Sequence, residues 1–200
     1  MNDINSLIRK AHSVLNENRN AKYEITDEAH PRFQHLRRIR ALRDIRRHGV
    51  RAGDLGGYVE SEDNLSQDGD CWIANDAIVS GNARVKDDAI ITHNAIVSGN
   101  ASVSDNARVY GEAFVSDRAY ISDNARVSDK ASVSDRARVS DKGIVAEYAS
   151  VFEDAIIAGN AQVSGYAQVY GNARVFGNAR VFDYADVSGG EEVSGNDKVS

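Results

Sequence analysis

The sequence predicts an all-β fold, a hexapeptide-repeat solenoid (a parallel β-helix) of about seven triangular coils behind a small N-terminal cap. Three observations lead to this prediction. One six-residue unit runs nineteen times through Ala77–Gly190 without insertion or deletion, and it begins with Ala in every case except Gly143. The third position is Val or Ile in every unit from Ile73 to Val199, and Gly, Asp and Asn dominate the last two positions. An unbroken short period of this kind is typical of solenoids.

Each unit contains one short strand and one corner. Ala-x-Val-x alternates apolar and polar residues, which predicts a strand with one buried face. The residues that follow accept the left-handed backbone angles of tight corners. Ala and Val should therefore point inward, and positions two, four, five and six should face water. Three units close a coil, and because stacked strands lie about 4.8 Å apart, Cys71–Asn196 predicts a prism about 33 Å tall.

The pattern (Ile or Val)-x-x-x-Ala-x resembles the hexapeptide repeat of left-handed β-helices, which are familiar from bacterial acyltransferases. A more specific resemblance lies in LGGYVESEDNLSQDGDCWI at Leu55–Ile73, preceded by RRIRALRDI at Arg37–Ile45. These segments resemble the opening of the YdcK-like β-solenoid proteins of bacteria, phages and prophages, and the resemblance extends from Tyr23 to the C-terminus. It implies a left-handed parallel β-helix of phage or prophage type, in a group whose members mostly have no assigned activity. The spacing itself does not fix the hand, and general crossover rules favour the right hand.

The chain divides into an N-terminal helix and strand cap at residues 1–54 and the β-solenoid at residues 55–200. Within the cap, apolar residues recur at helical spacing through Asn5–Asn18, which predicts a short amphipathic helix. That helix either packs over the open first coil, or forms a dimer or docks a partner. Lys22–Thr26 is predicted to be a strand. The pattern in Phe33–Ile45 is ambiguous, and the resemblance to YdcK-like proteins favours strands there.

Charge near the N-terminus is arranged in two opposite blocks. Arg32–Arg51 contains eight Arg and one acid, whereas Ala52–Asp70 contains six acids and no Lys or Arg. Blocks of opposite sign this close in sequence are predicted to meet in the fold. The alternative is that the Arg block binds nucleic acid, although we expect no direct nucleic-acid binding. The net charge of −6 comes entirely from residues 71–200, which have twelve basic and eighteen acidic residues.

The composition also bears on the compartment. Cys71 is the one cysteine, which excludes an internal disulfide and suits a reducing cytoplasm. It occupies the slot that Ala fills in later units, so a small buried thiol is expected there. The sequence contains no 18-residue apolar run and no signal-peptide pattern. We therefore expect a cytoplasmic protein (in the host cytoplasm if phage-encoded) with no membrane contact.

The sequence offers little catalytic chemistry. A hexapeptide acyltransferase needs a general base beside a cleft, but the solenoid contains one histidine, His93, on a corner, and no unit carries an insertion. The other histidines lack metal-ligand spacing and lie among arginines, which would repel a cation. We expect no enzyme activity, no cofactor and no metal.

Two sets of exposed residues are the candidate binding residues. Stepping by eighteen residues gives two acidic columns: Asp87, Asp105, Asp123 and Asp141 on one corner, and Asp117, Asp135 and Glu153 on a second. The alternative is that these carboxylates only bond the corner backbone. A third corner reads His93, Glu112, Lys130, Tyr148, Tyr166 and Tyr184. The aromatic set lies at positions four and six of the last coils: Tyr148, Phe152, Tyr166, Tyr170, Phe176, Phe182 and Tyr184.

The leading functional hypothesis is a non-catalytic binding scaffold. It would dock on a host protein, one that handles nucleic acid or serves in defence, through the acidic and aromatic exterior. Self-association into a homo-oligomer, through the N-terminal helix or the C-terminal coils, is a further expectation. The alternatives are an acyltransferase relative with an intersubunit active site and a structural rod in a virion or surface assembly.

Overall fold

The computed structural model describes residues 21–200, and its elements are almost all strands. Three longer strands come first: β1 (Tyr23–Ala29), β2 (Arg37–Ala41) and β3 (Leu55–Val59), with 3₁₀ helices at Arg46–His48 and Glu62–Asn64. Two-residue strands follow: β4 (Trp72–Ile73), β5 (Ile78–Val79), β6 (Arg84–Val85), β7 (Ile90–Ile91), β8 (Ile96–Val97), β9 (Ser102–Val103), β10 (Arg108–Val109), β11 (Phe114–Val115), β12 (Tyr120–Ile121), β13 (Arg126–Val127), β14 (Ser132–Val133), β15 (Arg138–Val139), β16 (Ile144–Val145), β17 (Ser150–Val151), β18 (Ile156–Ile157), β19 (Gln162–Val163), β20 (Gln168–Val169), β21 (Arg174–Val175), β22 (Arg180–Val181), β23 (Asp186–Val187), β24 (Glu192–Val193) and β25 (Lys198–Val199). Along these residues no helix has the length and apolar character needed to cross a membrane.

The strands form three sheets, which are the three faces of the solenoid. The first face is β1-β2-β3-β5-β8-β11-β14-β17-β20-β23, the second is β6-β9-β12-β15-β18-β21-β24, and the third is β4-β7-β10-β13-β16-β19-β22-β25. From β4 onward, equivalent strands pair in parallel at a step of one coil, as when Arg108 pairs with Arg126. The predicted all-β parallel solenoid is confirmed; its left hand stays a prediction. The third face has eight strands, so there are about eight coils. This is one more than the seven counted over Cys71–Asn196, because the solenoid also includes β3 before that range and β25 after it.

The core is a single column of Ala and Val side chains along the solenoid axis. Ala107 and Val109 are fully buried, as are their equivalents in the neighbouring coils. Each buried Val contributes about 1.5–3 kcal/mol. Stacking also satisfies the backbone: N–H groups at positions two, four and six donate to the next coil, with N···O distances such as 2.9 Å for Ile78 to Ala95. The column therefore supplies both the apolar burial and the hydrogen-bond ladder.

Position four departs from the prediction that it faces water. Its serines in the middle coils are buried: Ser104, Ser116, Ser122 and Ser128. Each hydroxyl donates to the carboxylate of the following residue, as Ser104 Oγ does to Asp105 Oδ2 at 2.9 Å. Because the hydroxyl is satisfied in this way, the neighbouring coils can cover it at little cost.

The N-terminal cap is an antiparallel meander that extends the first face. β1 pairs with β2, and β2 pairs with β3, so the cap and the solenoid share one sheet. The strand predicted at Lys22–Thr26 is observed as β1, and β2 is the strand found within Phe33–Ile45. The helix predicted at Asn5–Asn18 lies outside the described residues. The division into residues 1–54 and 55–200 stays a prediction, and β3 begins at Leu55.

Within residues 21–200, four of the eight arginines of the N-terminal block form ion pairs, but mostly not with the acidic block that follows them. Of the ion pairs observed, one joins the two blocks: Arg43 to Asp70, at 3.7 Å. The others reach β1 or a corner of the solenoid: Arg38 to Glu28 and Asp76, Arg40 to Glu24, and Arg47 to Asp88. The prediction that the two blocks meet is thus right for one pair only. For Arg38 and Arg40 the cause is that β2 lies between β1 and β3, so their side chains reach acids of β1 and the corner at Asp76.

Candidate binding surface

The corners of the solenoid all use the same backbone conformation. Position five has a positive φ at every corner from Asn75 to Gly195, between +56° and +76°. L-residues other than Gly, Asn and Asp are disfavoured in this region. This conformation explains the choice of Gly, Asp and Asn at the corners, and it turns the side chain of position five outward.

The two predicted acidic columns exist, and their carboxylates bond the corner backbone. In the first column, the N–H of Asp123 donates to Asp105 Oδ2 at 3.3 Å, and that of Asp141 donates to Asp123 Oδ2 at 3.2 Å. In the second column, Glu153 N–H donates to Asp135 Oδ2 at 3.1 Å. The alternative interpretation, that these carboxylates bond the corner backbone, therefore agrees with the observed geometry. All seven are also exposed to solvent, so their charge still acts on the exterior.

A third acidic column lies on the corner between the third and first faces, and the sequence reasoning missed it. Its position-five acids are Asp129, Glu147 and Asp183. The N–H of Gly165 donates to Glu147 Oε2 at 2.8 Å. The predicted column that joined His93 to Glu112 mixed two positions: His93 occupies position five, and Asn94 is the residue in line with Glu112. A strict step of eighteen residues would have found the acidic column.

Beside these acids, three tyrosines at position six form a stack that we call the tyrosine ladder: Tyr148, Tyr166 and Tyr184. The ring centroids of Tyr148 and Tyr166 are 4.8 Å apart at 8°, and those of Tyr166 and Tyr184 are 5.1 Å apart at 5°. Exposed fractions are 49%, 51% and 80% along the stack. The Lys130 ammonium lies 5.7 Å from the Tyr148 ring centroid, over its other face. The predicted stacking of these tyrosines is confirmed.

The other four aromatic residues are not gathered with the ladder into one patch. Phe152 and Tyr170 stack at 4.9 Å on the corner between the first and second faces, where they are half-buried. Phe182 is half-buried next to the ladder, and Phe176 lies on the remaining corner, 37% exposed. Full outward projection was predicted for all seven residues, but Phe152, Tyr170 and Phe182 are partly covered because neighbouring coils pack against position four.

A shallow groove runs along the third corner below the ladder. Its volume is about 460 Å³, and it is lined by His93, Asn94, Gly111, Glu112, Asp129, Lys130, Glu147 and Tyr148. His93 is exposed, and its backbone N–H donates to Asn75 Oδ1 at 3.3 Å. Across residues 21–200, no group of three or more His, Cys, Asp and Glu side chains has a geometry that could hold a metal ion. The groove combines acids with an aromatic end, a composition that suits the recognition of cationic groups.

One family model matches the chain: the YdcK beta solenoid repeat, at residues 167–183. The matched segment contains β20 and Tyr170, in the coils that carry the ladder. No curated protein matches the chain. Together with the architecture, the match supports a YdcK-like solenoid.

Proposed function

We propose that this protein is a non-catalytic binding scaffold whose contact surface is the corner that carries the tyrosine ladder and the adjacent acids Asp129, Glu147 and Asp183. The partner is a host protein with a basic surface, such as one that handles nucleic acid or serves in defence. Phage or prophage origin and residence in the host cytoplasm belong to this proposal through the resemblance to YdcK-like proteins.

The observation that carries the proposal is the exposure of the ladder. Stacked aromatic pairs stabilise neighbouring coils by about 0.5–1.5 kcal/mol, but that role alone favours covered rings. Here the exposed fraction is about half at Tyr148 and Tyr166 and reaches 80% at Tyr184. Tyrosines that stand out from a rigid surface bury a large area on binding and lose little entropy, which is why they are frequent in hot spots.

The acidic columns supply the electrostatic part of the proposal. One oxygen of each bonded carboxylate accepts a backbone N–H, and the side chain stays in contact with water. Rows of carboxylates about 4.8 Å apart, on a chain of net charge −6, attract a basic partner over roughly a Debye length, about 8 Å at physiological salt. Binding through these rows should weaken as salt concentration rises.

The test is capture from a bacterial lysate by two matched double variants. Tyr166→Ser with Tyr184→Ser removes two rings of the ladder. Phe152→Ser with Tyr170→Ser removes a stacked pair of the same kind from a different corner. We expect the captured proteins to be lost with the ladder variant, kept with the control variant, and reduced in the wild type at high salt. If both variants capture the same proteins as the wild type, the ladder is not the contact surface.

The alternative of an acyltransferase relative has a separate test. Calorimetric titration of acetyl-coenzyme A into the wild type and into His93→Ala should give no saturable heat under our proposal. Binding by the wild type that His93→Ala abolishes would favour the acyltransferase. A solution mass that grows with concentration without limit would instead favour the structural rod.

A further inference from the structure

Lys22 and Cys71 form a buried pair at the seam between the cap and the first coil. Both residues have no exposed surface. Lys22 Nζ lies 3.0 Å from Cys71 Sγ and 3.2 Å from the Asp68 carbonyl oxygen. Lysine is almost never fully buried without a charged partner, so this pair calls for an explanation beyond packing.

The sequence places the two groups together through an irregular first coil. Tyr58 pairs with Ile78, twenty residues later, whereas Trp72 pairs with Ile90 at the regular step of eighteen. The extra residues lie between Leu65 and Trp72, where they form a wider corner. In this corner, Gln67 Oε1 accepts a hydrogen bond from the backbone N–H of Lys22 at 2.8 Å, and Gln67 Nε2 donates to the backbone carbonyl of Tyr23 at 3.2 Å. Lys22 is thereby fixed with its amine pointing at the thiol.

The surroundings favour the uncharged forms of both groups. Burial lowers the pKa of Lys22, although the neighbouring thiol opposes this effect. Burial raises the pKa of Cys71, against the influence of Lys22. Within the described residues, the hydrogen-bond partners of the amine are the thiol and one carbonyl. The amine nitrogen donates to Cys71 Sγ at 3.0 Å, so the two atoms that a cross-link would join are already in direct contact.

We propose that Lys22 and Cys71 are the site of a reversible oxidative cross-link, in which one oxygen atom joins Nζ to Sγ as an N–O–S bridge. Dioxygen is the oxidant. One of its atoms becomes the bridge, and the other leaves as water with one hydrogen from the amine and one from the thiol. Nitrogen and sulfur each lose two electrons, which matches the four electrons that dioxygen accepts. Two molecules of hydrogen peroxide are equivalent and release three waters.

The bridge would act as a covalent staple between the start of β1 and the first coil. The two residues are 49 positions apart, so the link closes a long loop and restricts the unfolded chain as a disulfide does. Access for a small oxidant needs only local opening of the edge strand β1, and edge elements open more readily than a core. Oxidation would therefore lock the cap in place, and reduction would release it.

The experiment is intact-mass analysis of the full chain before and after treatment with hydrogen peroxide, followed by dithiothreitol. We expect a gain of about 14 Da that dithiothreitol reverses, distinct from the gain of about 16 Da for a sulfenic acid or a methionine sulfoxide. Tryptic digestion of the oxidised protein should give one linked peptide pair that contains Lys22 and Cys71. The melting temperature should rise by several degrees and return after reduction.

Two variants control for other chemistry. Cys71→Ala should fold, because Ala fills the same slot in later coils, and it should show no gain of about 14 Da. Lys22→Met keeps the length of the side chain without the amine, so its Cys71 should progress only to sulfenic or sulfinic acid. The proposal is overturned if the wild-type thiol also gains only oxygen. It is equally overturned if Cys71 stays unchanged while Met1 sulfoxide in the same sample proves that the oxidant was active.

Discussion

The middle coils and the last coils have the same interior but hold their corners in different ways. In the middle coils, a buried Ser donates to an Asp, and the Asp accepts the N–H of the next coil; Ser122, Asp123 and Asp141 are one example. In the last coils, Gly commonly fills position five, and aromatic rings stack from coil to coil, as Tyr166 does on Tyr184. The Ala and Val column runs through both regions, until Glu191 and Asp197 take the Ala positions of the last coil, where both are exposed.

This comparison shows that the buried Ala and Val side chains determine the shape of the coil. The corner residues can differ from coil to coil without changing that shape. At a positive φ, two hydrogen bonds offset the backbone strain of Asp, whereas Gly adopts this conformation without strain. Large exposed side chains stand beside both kinds of corner: Tyr166 follows Gly165, whereas Tyr148 follows Glu147 and Tyr184 follows Asp183. The aromatic surface of the last coils therefore does not depend on Gly at position five.

The largest expected effect tests whether the interior is the same in the two regions. Val133→Asp in the middle coils and Val169→Asp in the last coils each bury an unpaired charge, and each should cost more than about 4 kcal/mol. Val199→Asp, at a partly exposed position, should change stability by less than about 1 kcal/mol. Thermal unfolding followed by circular dichroism measures all three. Equal melting temperatures for Val133→Asp and Val199→Asp would contradict the assigned register.

A smaller loss of stability is expected when a corner residue of the middle coils is replaced. Asp123→Ala removes the hydrogen bonds to Ser122 and Asp141 and places Ala at φ +58°. We expect a loss of about 2–3 kcal/mol. Asp123→Gly loses the same bonds without the backbone strain and should cost about 1 kcal/mol. Urea unfolding of the two variants provides the comparison, and a Gly variant less stable than the Ala variant would refute the strain argument.

The reverse change, from Gly to a residue with a side chain, is tested at Gly165 in the last coils. The free energies of unfolding of Gly165→Asp and Gly165→Ala should differ by about 1 kcal/mol. A Cβ at Gly165 would lie 2.6 Å from the Asp183 nitrogen, and φ there is +69°. Both Gly165→Ala and Gly165→Asp therefore strain the corner. Only Asp can accept the N–H of the next coil, as Asp141 accepts that of Gly159 at 2.9 Å. Gly165→Asp should be the more stable of the two variants by urea unfolding; the opposite order would show that the two kinds of corner cannot be interchanged.

The smallest stability effect is expected within the ladder. Tyr166 stacks on both sides, whereas the stacking partner of Tyr184 is Tyr166 alone. Tyr166→Ser should therefore lower stability by about 0.5–1.5 kcal/mol more than Tyr184→Ser does. The measurement is the melting temperature of each variant, compared with that of the wild type. Identical losses would mean that stacking adds nothing at this corner.

Much of the fold could be predicted from the sequence because its period is unbroken. The strand positions, the inward Ala and Val column, the burial of Cys71 and the stacking of the three tyrosines all follow from a step of six or eighteen residues. The first coil could not be predicted in the same way, because the six-residue spacing is broken there. The wider corner between Leu65 and Trp72 shifts the spacing by two residues.

Three other features were not predicted from the sequence: two kinds of polar side chain that are buried by their contacts, and one acidic column. Ser104 and its equivalents were expected in water, but a neighbouring carboxylate satisfies the hydroxyl and allows burial. Burial of Lys22 depends on contacts with residues more than forty positions away, which no local pattern contains. The third acidic column was missed because His93 was aligned with Glu112, one position out of step.

The most direct test of the central claim is site-specific photo-cross-linking. A photoreactive phenylalanine analogue replaces Tyr184 in one protein and Phe176, on a different corner, in another, and each is irradiated in bacterial lysate. Both substitutions keep an aromatic ring, so the fold should be preserved. The account predicts a defined cross-linked adduct from position 184 and not from position 176. The same adducts from both positions, or an adduct from 176 alone, would contradict it.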